Sequence, residues 1–163
     1  LNKLSSKVIV IKQLLKRIGN KKSILFGVKK DLLFKITSNV CESENTMDLL
    51  KSFKKGKINT LASAKMIGRG LTLPKECKIA IIASYYSTST DFLQKISRIT
   101  RSSEASYANI FIIKTKNTME ENWFNKFNII YNKKNKKQEI IDLNIQKTFK
   151  SKELFNPNFT LKK

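Results

Sequence analysis

Leu4, Val8, Ile11, Leu14, Leu15 and Ile18 recur at three- and four-residue intervals, with Lys7, Lys12, Lys16 and Arg17 falling between them. That spacing predicts an amphipathic helix, closed by Gly19-Asn20, although the β-branched run Val8–Ile11 favours it less than unbranched residues would. Ser23-Ile24-Leu25-Phe26-Gly27 follows, a short continuous apolar run closed by glycine, as in a strand buried on both faces of a parallel sheet. Residues 31–36 predict a helix, and 38–41 a short second strand. Residues 44–54 predict a further helix, with acidic side chains at its start, Met47, Leu50 and Phe53 along one face, and Lys54-Lys55-Gly56 at its end.

The pattern then repeats. Residues 58–62 read as a strand, 63–74 as a loop stopped by Pro74, and 78–84 as another doubly buried strand around Ile79-Ala80-Ile81-Ile82-Ala83. Thr88 or Ser89 can cap a helix that begins near Thr90, carries Phe92, Leu93 and Ile96 on its apolar side and ends at Ser102-Ser103. Residues 108–113 form a last core strand. Thr118 opens a helix with Glu120 and Glu121 in its first turn and Trp123, Phe124 and Phe127 on its buried side. Beyond Asn132 the pattern decays into the charge run Lys133–Lys137, the composition of a solvated loop. Residues 138–149 alternate weakly, as an added edge strand would, and the end from Ser151 reads as loose. Strands alternating with helices at this spacing imply an α/β fold, with a mostly parallel central sheet covered on both faces. The natural division is a folded domain over residues 1–131 and a basic C-terminal extension over 132–163.

Charge adds a partner class. In 163 residues, 33 Lys and Arg against 12 Asp and Glu give a formal net charge of +21. The excess runs along the whole chain, so a single tail does not account for it. Such a balance favours polyanions, although abundant Lys, Asn and Ile also suit simple compositional drift. The absence of His removes imidazole acid–base chemistry and His-based metal sites. Cys41 and Cys77 stand far apart without metal-ligand spacing and read as buried, reduced core thiols. No apolar run reaches the length of a membrane span, and no signal-peptide pattern is present. A reducing cytoplasm, that of a host if the chain is viral, is the expected setting, with no membrane partner. The start at Leu1 is that expected of a fragment, a processed product or the ordered part of something longer.

In a doubly wound sheet, ligands gather at the carboxyl ends of the strands, where Gly27, Ser63, Gly68, Arg69 and Gly70 should converge. Glycine there lets backbone approach a phosphate, and Ser63 can donate a hydroxyl; loop glycines equally serve as turn-formers. Gln94, Arg98 and Arg101 share a helical face at i, i+4 and i+7. Such a face can be merely solvated. Its guanidinium forks also suit a phosphate carrying two or three negative oxygens.

These segments, in this order, resemble the second RecA-like domain, or helicase C-terminal domain, of superfamily two helicases and translocases. Ile24-Leu25-Phe26 is similar to the strand that opens that domain, and Leu50–Gly56 to the helix before its fifth motif. Leu61-Ala62-Ser63 followed by Gly68-Arg69-Gly70-Leu71-Thr72-Leu73-Pro74 resembles the fifth motif, A-T…G-x-D-x-P. Gln94–Arg101 resembles the sixth, Q-R-x-G-R-x-x-R, and Thr118–Trp123 the T-x-E helix that often follows. The resemblance covers about residues 4–130; the phage recombination and DNA-repair branches stand nearest.

The resemblance implies a RecA-like three-layer sandwich and DNA or RNA as partner, DNA favoured. It implies that Arg98 and Arg101 act as arginine fingers on an ATP γ-phosphate, and that Gln94, Gly70 and Thr72 serve the nucleotide side. Ser63, Gly27 and Arg69 would serve the nucleic-acid strand. Thr72 stands where Asp or Asn is common, which puts a ribose contact in doubt; Ser97 replaces Gly, Lys95 replaces Arg, and Ser63 keeps the hydroxyl of Thr. The chain contains neither a GxxxxGK[ST] loop nor an acidic Mg²⁺ motif. ATP and Mg²⁺ would therefore be shared with a first RecA-like domain, in cis or in trans, and the chain alone would not be an ATPase. The alternatives are a non-catalytic basic nucleic-acid-binding protein on a degenerate helicase domain, and an ordinary basic α/β domain.

Overall fold

The computed structural model describes residues 3–27, 29–64, 73–84 and 109–134. Within them the order is α1 (Lys3–Ile18), β1 (Ser23–Phe26), α2 (Lys30–Phe34), β2 (Val40–Cys41), α3 (Thr46–Lys54), β3 (Thr60–Ser63), β4 (Ile79–Ile82), β5 (Asn109–Ile112) and α4 (Met119–Lys134). The five strands form one sheet in the order β2-β3-β1-β4-β5. Every pairing is parallel. The α/β class and the parallel sheet expected from the alternating pattern are both present.

β1 lies at the centre. Ile24 pairs with Leu61 on one side and Ala80 on the other, and Leu25 likewise with Ala62 and Ile81. Successive side chains of a strand point to opposite faces, so the three central strands build two cores at once. One core holds Ile24, Phe26, Leu61, Ala80 and Ile82 beneath Leu50 and Phe53 of α3 and Phe124 of α4. The other holds Leu25, Ala62, Ile79 and Ile81 beneath Ile11, Leu14 and Ile18 of α1 and Leu32 and Leu33 of α2. Helices on both faces make three layers, and this explains why β1 and β4 are buried throughout instead of alternating. The one polar side chain inside β1, Ser23, is fully buried and sits 3.2 Å from the Thr60 hydroxyl of β3.

Several elements differ from the sequence reading. β3 begins at Thr60 instead of residue 58, because the turn before it is taken up by the end of α3. Gly56, at φ 74°, donates its N–H to the Phe53 carbonyl, and Lys57 donates to the Ser52 carbonyl. That pair of bonds is a Schellman cap, and strand pairing starts only after it. Met47 was expected on the buried face of α3 with Leu50 and Phe53, yet it is 58% exposed. Residues spaced by three drift by about 60° per step around a helix, so the first of three is rotated about 120° from the last. α2 ends at Phe34, two residues earlier than expected, where Ile36 and Thr37 both donate to the Leu33 carbonyl. α4 continues to Lys134, so Lys133 and Lys134, read as the start of a solvated loop, extend a helix instead. The expected helix from Thr90 to Ser103, the strand at 138–149 and the loose end from Ser151 lie outside the described residues.

Cys41 and Cys77 are free, buried thiols on the α3 side of the sheet, as expected. Burial pushes the Cys41 thiol up to about 11 and that of Cys77 up to about 12. Since the thiolate is the reactive form, neither cysteine should react with a disulfide reagent at pH 8 in the native protein, and both should react at once in denaturing urea. Stoichiometric labelling of the native chain would contradict this packing.

Candidate functional site at the carboxyl edge of the sheet

The topology selects one rim. From β1 the chain moves outward to β2 and returns to β3, then crosses to β4 and moves outward the other way to β5. The two directions part between β1 and β4, and in open parallel sheets the crevice at the carboxyl ends of two such strands is the ligand position. Gly27 follows β1 there, Ala83 and Ser84 follow β4, and Ser63 ends β3 one strand away. The rim is stitched by backbone: Gly27 donates to the Ser63 carbonyl at 3.1 Å, Ala83 to Phe26 at 2.7 Å, and Ile113 to Ile82 at 2.9 Å.

Of the residues expected at the site, the structure brings Gly27 and Ser63 together on this rim. Both are buried. Gly68, Arg69, Gly70, Thr72, Gln94, Arg98 and Arg101 lie outside the described residues. The segment carrying the first four leaves β3 at Ser63 and rejoins the described chain at Leu73, which is buried in the core.

Gly27 has a packing reason to be glycine. A Cβ at this position would meet Cδ2 of Leu33 at 2.7 Å, and Leu33 is fully buried in the α1–α2 core. Gly27→Ala should therefore cost about 1–3 kcal/mol of stability by overpacking. Shortening the obstructing side chain in Gly27→Ala/Leu33→Ala should recover part of the loss from the glycine change, as read from urea unfolding as a double-mutant cycle. Additive costs would contradict the contact.

The sequence reading missed a charged group at the crevice, Lys7. Lys7 was placed among the solvated positions of α1, yet it is 8% exposed. Its ammonium donates to the Ala83 carbonyl at 3.0 Å and to both carboxylate oxygens of Glu120 at 2.5 and 2.6 Å. Glu120 also accepts the Thr115 N–H at 3.1 Å. One side chain thus ties the first helix, the end of β4 and the start of α4 at the crevice. A signal existed: residues 4, 7, 11, 14 and 18 form one stripe at alternating three and four spacing, and Lys7 occupies an apolar position of it. Glu120 and Glu121 were read as dipole partners of α4. Glu121 does serve the helix start, accepting the Asn117 N–H at 2.8 Å, and that bond, with Lys114 and Lys116 nearby, holds its carboxyl below the usual range. Lys114 lies 3.5 Å from Glu121 and 5.0 Å from the centre of the Phe124 ring.

Lys7→Met should cost about 3 kcal/mol, because it removes the cation that pairs with the Glu120 carboxylate and the ammonium that donates to the Ala83 carbonyl. Lys7→Met/Glu120→Gln should cost less than the single change, as a denaturant titration of both variants would show. A double variant as unstable as the sum of the two singles would mean that the pair is not coupled.

The fold and the rim define the class as a RecA-like α/β domain, and comparison with known proteins narrows it. Residues 2–103 match the helicase conserved C-terminal domain, and the chain belongs to that family. Among curated proteins it is 24% identical over 123 residues to the DNA 3'-5' translocase XPB2 of Sulfurisphaera tokodaii, a match that covers 71% of this chain. The chain spans only 28% of that translocase's length. Among solved structures it superposes on the C-terminal domain of a variant S. cerevisiae Dbp5 bound to a Gle1 variant and IP6. There the TM-score is 0.62 at 16% identity, covering 91% of this chain and 94% of that one. S. cerevisiae Dbp5 bound to RNA and ADP BeF3 gives a TM-score of 0.62 at 17% identity, over 78% of this chain and 37% of that one. The RecA-like layering and the helicase C-terminal domain expected from the motif order are both present.

Proposed function

We propose that this chain is the C-terminal motor domain of an ATP-dependent nucleic-acid helicase or translocase, active only beside a first RecA-like domain. The family match over residues 2–103 carries the reading, because the segments it spans include the fifth and sixth motif resemblances. ATP and Mg²⁺ would be held mainly by the first domain, and the metal would supply charge neutralisation at the phosphates.

This chain's own residues complete that site. Arg98 and Arg101 neutralise charge on the γ-phosphate oxygens, and Gln94 links the nucleotide to the domain boundary. Gly70 allows close approach on the nucleotide side, with Thr72 beside it. Ser63, Gly27 and Arg69 serve the nucleic-acid strand, whose phosphates accept hydrogen bonds from backbone amides and short polar side chains. The carboxyl rim supports the pairing of Gly27 with Ser63, because β1 and β3 end next to one another there. DNA is the favoured strand, in keeping with the translocase relative.

The decisive measurement joins this chain to a first RecA-like domain and follows ATP turnover. Arg101→Ala should lower turnover by about a thousandfold while nucleic-acid affinity stays within a factor of two or so. Unchanged turnover would overturn the arginine-finger assignment. The net charge of +21 supports a second reading, a stand-alone nucleic-acid binder on the same fold. That reading requires tight, strongly salt-dependent binding with no effect of Arg101→Ala on any activity of the joined protein.

A further inference from the structure

Charge is not spread evenly over the two edges of the sheet. Among the described residues, Asp31, Glu42, Glu44, Asp48, Glu120 and Glu121 all follow strands and lie toward the carboxyl edge. At the amino edge Glu76 is the one acidic side chain among the described residues. Around it, the turn into β1 carries Lys21 and Lys22. The turn into β3 carries Lys54, Lys55 and Lys57, and the approach to β4 carries Lys75 and Lys78. β3, β1 and β4 are adjacent strands, so these three turns lie side by side.

Contacts show that they form one surface. Lys22 stands at the centre. Its ammonium donates to the Lys54 carbonyl at 3.0 Å, pairs with Glu76 at 3.6 Å, and lies 5.8 Å from the centre of the Phe53 ring. Lys22 thus ties the three turns together and offsets the acid. Lys21, Lys54, Lys55, Lys57 and Lys75, carried by the same three turns, are all exposed. The Schellman cap at Gly56 fixes the backbone that carries Lys54, Lys55 and Lys57. A lysine in the last turn of a helix has a local explanation in the helix dipole, which covers Lys54 but not Lys21, Lys57 or Lys75, which lie beyond helix ends.

We propose that the amino edge is a second, sequence-independent contact surface for the nucleic-acid phosphate backbone, on the opposite side of the sheet from the candidate site. Strands are spaced about 4.8 Å apart, so the three turns span about 10 Å. A duplex presents on the order of six phosphate charges over that length. The surface lacks the apolar centre of a protein interface, where lysine is depleted: the exposed large hydrophobic residues among those described, Ile9, Phe34, Met47 and Met119, all belong to other segments. Point-charge ammonium groups on a fixed turn suit phosphates of any sequence. The inference does not depend on Arg98 and Arg101 or on ATP.

The test is fluorescence anisotropy of the full 163-residue chain with a labelled DNA duplex over a range of salt. Lys54→Gln/Lys55→Gln/Lys57→Gln should weaken binding about tenfold at moderate salt and lower the slope of log affinity against log salt by about 2 in magnitude. The matching Lys→Arg triple should bind like the unaltered chain. A control triple on exposed lysines away from that edge, Lys12→Gln/Lys116→Gln/Lys126→Gln, removes the same net charge and should leave the slope nearly unchanged. The thermal midpoint should stay put in all three, since the Lys54 group that Lys22 holds is its backbone carbonyl. An unchanged slope in the amino-edge triple, or an equal loss in the control, overturns the proposal. So does a triple that loses binding to a labelled poly-glutamate peptide while keeping DNA affinity, because the surface would then belong to an acidic protein. Weaker DNA binding in an Arg98→Ala/Arg101→Ala chain, with the slope change of the amino-edge triple unaltered, would count against the arginine-finger assignment alone.

Discussion

The burial of β1 on both faces and both edges is the constraint on which the rest of the structure depends. Ile24, Leu25 and Phe26 are each at most 2% exposed, and each pairs with β3 and β4 at once. A strand in that position cannot leave a face to water, so α1 and α2 must cover one side and α3 and α4 the other. It also cannot lose a neighbour, so the chain must return from the β2 edge to place β3 beside β1 before crossing to β4. Parallel pairing then puts every strand's carboxyl end on the same rim. The candidate site is a consequence of this packing and was not built separately from it.

The same arrangement sorts charge. In βα units the helix N-terminus follows the strand's carboxyl end and the helix C-terminus precedes the next strand. Acidic residues that favour helix starts therefore collect at one edge, while the other holds a last-turn lysine, Lys54, beside lysines of the following turns that the helix dipole does not account for. At the carboxyl edge the acids are partly engaged: Glu42 with Lys30 at 2.7 Å, Glu120 with Lys7, and Glu121 with Lys114. At the amino edge the lysines outnumber their single acid among the described residues. Among the described residues the lysine excess is thus set at one edge of the sheet and the acids at the other.

Lys7 and Glu120 show how the two ends of the described fold are joined at the crevice. α1 and α4 pack on opposite faces, and the ammonium–carboxylate contact passes around the end of β4, where it also holds the Ala83 carbonyl. A buried pair of this kind gives little net stability against an apolar alternative, but it fixes which helix sits where. The chain leaves β4 next to this pin, on its way to the segment that carries Gln94, Arg98 and Arg101.

The sequence by itself determined the elements and the family. The apolar runs at 24–26 and 79–82 read as strands buried in a parallel sheet, and the periodicities of α1 and α3 marked their core faces to within a residue or two. The spaced order of short motifs pointed to a helicase C-terminal domain before any geometry was known. Tertiary structure decided what depends on a partner distant in sequence. Whether Gly27 is glycine for a ligand or for Leu33 depends on where α2 packs. Whether Met47 is buried depends on which part of a drifting stripe meets the sheet. Lys7 is polar in any sequence reading, and only Ala83 and Glu120, 76 and 113 residues away, make its burial possible. The grouping of lysines from three separate turns likewise follows from strand order, which local sequence patterns do not encode.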